Sequence, residues 1–84
     1  MDDILNEYDL YVRVLPVLRY KKREIFKLEY VKIKEDMIWK IFIENVWNNR
    51  ENIALCDIVD DIINYDNKKI IVYYLNSFDN SFNE

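Results

Sequence analysis

Side chains able to do chemistry fall into three groups in this chain. Arg19, Arg23 and Lys27 recur at i, i+4 and i+8, so on a helix they form one row. Lys22 flanks that row on one side and Tyr20 on the other, and Lys32, Lys34 and Lys40 stand close enough in sequence to extend the patch. Cationic groups beside an aromatic ring can contact phosphates and stack an unpaired base. The same pattern is also the ordinary solvated face of an amphipathic helix.

The second group centres on Lys21. By helical phase it lies within the apolar face made by Val14, Val17, Leu18, Ile25 and Leu28. Its aliphatic stem suits that face if the ammonium reaches the rim. Glu24 follows at i+3, which makes a structural Lys21–Glu24 ion pair available. Asp57 or Asp61 is another candidate partner. A buried lysine of lowered pKa could also serve catalysis. Asp57, Asp60 and Asp61 form the third group, an acidic face that is either solvated or suited to a loosely held divalent ion or acid–base work.

Absent residue types exclude more. There is no histidine among the 84 residues, hence no Ser/His/Asp or Cys/His catalytic set and no common zinc site. There is no glycine either, hence no phosphate-cradling loop of the kind that needs close backbone approach. Cys56, between apolar neighbours, reads as a small buried hydrophobe in a reducing compartment. No enzyme activity, cofactor, metal or small-molecule substrate is expected.

Charge is segregated beneath a net value of −4. Residues 1–12 carry four acids and no base, whereas residues 13–40 hold nine of the twelve basic residues against four acids. Residues 41–84 reverse the balance with eight acids against three bases. An acidic chain makes a poor general nucleic-acid binder, yet a polarised one still presents a basic face. No run of about 18 uncharged apolar residues occurs, so no membrane insertion is expected. The opening aspartates are unlike a signal peptide, and the expected location is cytoplasmic.

These residues need helices to position them. The 51% hydrophobic content and the length of 84 residues suit one domain over 1–84, ordered over about 8–78 and frayed over 79–84. A first helix is expected from Leu5 or Tyr8 to Leu28, kinked at Pro16. An extended connection follows at 29–34, then a second helix from Glu35 to Trp47 that is apolar on most sides and central. Asn48 to Asn52 read as a loop ending in an asparagine cap. Leu55, Ile58, Val59, Ile62 and Ile63 mark a third helix over Ile53–Ile63. Beyond a turn capped by Asp66, residues 68–75 have strand propensity but share a helical face, and a last helix through about Leu75 is expected. Trp39 and Trp47 should lie in the core, and Tyr30 and Tyr73 are further aromatic mass for it. The fold class is therefore all-α, a small single-domain bundle of three to four short helices around a central hydrophobic helix.

The order of several of these residues resembles the ComN-type post-transcriptional regulators of low-GC Gram-positive bacteria. Pro16, Leu18, Lys21, Glu24, Leu28 and Tyr30 stand where that family has Pro, Leu, Lys-x-x-Glu and Leu-Gly-Tyr. Asp36, Ile38-Trp39 and Val46-Trp47 are similar to its acid and two tryptophans, and Val59, Asp61, Ile62 and Ile63 to its Val-x-Asp-Ile-hydrophobic motif. The family's glycine is Glu29 here, so any positive-φ turn must be made otherwise. Its Tyr-Met and Thr near the end are Ile70-Ile71 and Leu75.

The resemblance implies control of gene expression after transcription, acting on mRNA in the setting of genetic competence. It also implies association with a coiled-coil cell-division scaffold that concentrates the protein at septum or poles. Two functions follow as expectations. One is a regulator touching an mRNA leader through Arg19, Tyr20, Lys22, Arg23 and Lys27. The other is a protein–protein adaptor, recruited by a division-site or RNA-processing partner, that never touches RNA.

Overall fold

The computed structural model describes residues 7–48 and 53–82, all of them helix or short connection. Helix α1 spans Glu7–Glu29, α2 spans Glu35–Ile41, α3 spans Leu55–Asn64 and α4 spans Asn67–Phe82. Between α2 and the next loop the chain continues as a π-helical turn, Phe42–Val46. The molecule measures 43 × 31 × 17 Å, about two helix layers deep in its thinnest direction. No described helix is long and apolar enough to cross a membrane.

Helix α1 continues through Pro16 without ending. Proline removes the bond that the Val12 carbonyl would accept, but Val12 and Pro16 both face solvent, where water can replace it. Val14, Leu18, Lys21 and Ile25 follow the i, i+4, i+7, i+11 stripe, and all four are buried. Leu28 continues the stripe in sequence yet is 61% exposed, a departure from expectation. Helix α1 outruns the bundle at that end.

Helix α1 packs against α2, α3 and α4, and α2 packs against α1 and α4. Ile38, Trp39, Ile41 and Phe42 of α2 and the π turn are buried, as is Trp47 just beyond. The π turn has a physical role in that. The Trp47 amide donates to Phe42 O over 2.8 Å, an i→i−5 bond. Adding residues to that turn retards the helical phase and brings Trp47 into line with Trp39. Their rings meet edge-on at 5.6 Å, with Tyr11 at 5.9 Å from Trp39 and Phe42 at 5.0 Å from Trp47. The Trp47 indole Nε1 donates to Asp61 Oδ2 at 2.8 Å, which satisfies a buried donor and ties the π turn to α3.

Several boundaries and burials differ from the sequence expectation. Helix α3 begins at Leu55 with Ala54, which makes no side-chain cap bond, as its N-cap; the asparagine expected as a cap, Asn52, lies outside the described residues. Cys56 is exposed rather than buried. It lies on the side of α3 opposite the buried Ile58 and Ile62. Residues 68–75 are helical, and α4 runs to Phe82, well past the expected end at Leu75. The Asp66 cap forms as expected, with Oδ1 accepting from the Lys68 amide at 3.0 Å. Strand propensity at Ile70-Ile71-Val72 yields to tertiary context, because a helix buries Ile70 fully against the core.

Tyr30 terminates α1 in the left-handed region, with φ of 59°. Its amide donates to Phe26 O at 3.0 Å, closing the helix end. The positive-φ turn thus falls at residue 30, not at Glu29. A tyrosine there carries a Cβ penalty that glycine would avoid. Its side chain is 82% exposed, so Tyr30 adds nothing to the core.

Candidate nucleic-acid interface

An open groove of about 1620 Å³ lies where the overhanging end of α1 meets the 30–34 connection, the start of α2 and one side of α4. Ile33, Met37, Leu28, Phe26 and Tyr74 supply its apolar surface. Arg23, Lys27, Lys32 and Lys34 stand along it together with Lys22, against only Glu24 and Asp36. The groove is therefore cationic on a chain whose net charge is −4.

The structure divides the basic row. Arg23 and Lys27 are exposed at the groove, and neither makes an ion pair among the described residues. Arg19 and Lys22 instead reach Glu35 at the start of α2, Arg19 Nε at 3.8 Å and Lys22 Nζ at 3.4 Å. Glu35 is held below the usual carboxylate range by its own backbone amide and then, against the effect of burial, by these two cations. Arg19 does not line the groove, whereas Lys22 does. Tyr20 is there too, its hydroxyl bonded to Glu24, which raises its pKa.

Residues outside the α1 row complete the site. Lys32 Nζ sits 5.8 Å from the centroid of the Phe26 ring, a cation–π contact. Phe26 and Tyr30 were missed as site residues because their exposure depends on where α1 ends.

Lys21 and Glu24 form the support beneath the groove. The Lys21 side chain is 1% exposed, and its ammonium donates to Tyr65 O at 2.8 Å and Ile63 O at 3.2 Å. Glu24 Oε2 lies 3.6 Å from the same nitrogen, so three partners surround a group with three donors. Neither Asp57 nor Asp61 supplies the partner. The two carbonyls close the C-terminal end of α3, where a cation complements the helix dipole. Burial lowers the Lys21 pKa from its ordinary value, against the opposing pull of Glu24. Glu24 Oε2 also accepts from Asn67 Nδ2 at 2.8 Å, which binds α1 to the first residue of α4. That bond, with the Lys21 charge, lowers the Glu24 pKa against burial.

Among the described residues no group of His, Cys, Asp and Glu side chains is arranged to hold a metal. The molecule is thus a small four-helix domain with a cationic, aromatic groove braced by a buried lysine. Residues 8–80 match the family described as Post-transcriptional regulator, and the chain belongs to that family. No curated protein and no solved structure matches the chain significantly.

Proposed function

We propose that the protein carries out its post-transcriptional role by touching messenger RNA directly, through the cationic groove beside the end of α1. One observation carries this reading: Arg23, Lys27, Lys32 and Lys34 converge on a single groove without ion-pair partners among the described residues. Cations spent on internal pairing have little left to offer a phosphate, and these four retain their charge for a ligand. Arg19 and Lys22 serve mainly to hold α2 through Glu35.

In the ComN-type form of this reading, the messages belong to genetic competence, and a coiled-coil scaffold concentrates the protein at the septum. The likeness of Pro16, Lys21, Glu24 and Trp39 to that type supports it. Such recruitment would use a face other than the groove.

The test is charge reversal in two places. Arg23→Glu with Lys27→Glu should abolish retention of an mRNA leader in a fluorescence-anisotropy titration, with helicity unchanged by circular dichroism. Arg19→Glu, which replaces an exposed contact to Glu35 with a like-charge repulsion outside the groove, should bind within about threefold of wild type. Retention by the double variant sinks the proposed site. A glutamate-rich amphipathic peptide that displaces the RNA at equal concentration would move the groove to the adaptor function.

A further inference from the structure

We propose that Tyr30 is a base-stacking platform, which makes the groove selective for unpaired over duplex RNA; this rests on the groove being an RNA contact. Three observations converge on it. The residue that ends α1 occupies the left-handed region at φ 59°, where glycine or asparagine would fit with less steric conflict. A large ring stands there instead, 82% exposed. It makes no ring contact and no side-chain hydrogen bond among the described residues. Folding therefore does not explain the tyrosine, and backbone strain of this kind concentrates at binding sites.

The surroundings say which ligand suits the ring. Lys27 and Arg23 precede Tyr30 on α1 and line the same groove, as do Phe26 and the Lys32 ammonium 5.8 Å from its ring. Phosphates tracking those cations would bring successive bases past Tyr30, whose ring face is open to one of them. Tyr20 is worse placed for this, because it is 52% exposed against 82% for Tyr30. Stacking on a side chain requires a base free of its own stack. An A-form duplex presents phosphates and 2′-hydroxyls instead, with its base faces covered.

The substitution Tyr30→Gly tests this because it removes the ring while relieving the backbone, so a folding defect cannot mimic the result. Wild type, Tyr30→Gly and Tyr30→Phe would be titrated against a fluorescein-labelled, mixed-sequence RNA of about 12 nucleotides, single-stranded and annealed to its complement. Wild type should favour the single strand. Tyr30→Phe should match it within about twofold, and Tyr30→Gly should lose about tenfold on the single strand alone. The denaturation midpoint of Tyr30→Gly should be no lower than that of wild type. Equal single-strand affinity of Tyr30→Gly and wild type overturns the stacking proposal while leaving the cationic contact standing. So does equal affinity of wild type for the two RNAs. Failure of wild type to bind either RNA removes the underlying reading, and the stacking role with it.

Discussion

The Lys21 ammonium, on α1, donates to the backbone carbonyl of Tyr65 across 2.8 Å, at the point where α3 ends and the chain turns into α4. The Lys21–Glu24 pair thus joins three helices, because Glu24 in turn accepts from Asn67 at the start of α4. The Tyr65 ring packs edge-on against Phe42 at 5.2 Å, so the same turn is pinned to the aromatic core. A charge in so buried a position is tolerable because its partners surround it. Removing it strands them.

Lys21→Met tests the bracing. Methionine keeps most of the packed stem but leaves the Ile63 and Tyr65 carbonyls without their donor, and Glu24 without its cation. The expected loss is about 2–4 kcal/mol in urea denaturation. A loss under about 1 kcal/mol would show that the lysine is a passenger.

Acid should weaken the fold through two carboxylates. Glu24 and Glu35 both have folded-state pKa values below the ordinary 4.5. The unfolded chain therefore binds protons first as pH falls, and the stability they contribute is present above about pH 4.5 and lost on passing below the folded values. Lys21 runs the other way. Its lowered pKa means the charged form opposes folding at neutral pH, an opposition that fades only as pH rises toward 10.5. Glu24→Gln should lower stability at pH 7 and flatten the acid limb of the stability–pH curve. An unaltered acid limb in that variant would falsify the assignment to Glu24.

The Trp47–Asp61 bond gives a spectroscopic handle. Asp61→Ala removes the acceptor of a buried indole, at a cost of about 1–2 kcal/mol. Tryptophan emission should shift as that indole loses its partner. Identical emission and identical stability would mean that the π turn is held by packing alone.

Cys56 is exposed and should react with a thiol reagent in the native protein as fast as in urea. Strong protection in the native state would place α3 in a different rotation about its axis.

Much of this architecture can be read from the chain, for reasons that also explain the misses. The α1 stripe of Val14, Leu18 and Ile25 and the α3 pair Ile58 and Ile62 are periodic, and periodicity reports burial directly. Lys21 was conspicuous because it breaks an apolar stripe, although nothing local says that its partners are carbonyls 42 and 44 residues away. The exposure of Cys56 follows from its phase opposite Ile58, so apolar neighbours in sequence were a poor guide. The division of the basic row was hidden for a different reason. Row geometry treats Arg19, Arg23 and Lys27 alike, whereas Glu35 reaches only the part of α1 that the 30–34 connection folds back on. Tyr30 owes its exposure to a backbone angle that glycine-free sequence gives no cue for.

The most direct test of the central claim is the salt dependence of wild-type binding to an unpaired mRNA leader. Four unpaired cations imply that log K falls with log salt at a slope of roughly −2 to −3 for a single strand. Binding by wild type with that slope, and none by the Arg23→Glu, Lys27→Glu double variant, is the expected result. Binding that is indifferent to salt, or absent at low salt, would contradict direct contact with RNA through this groove.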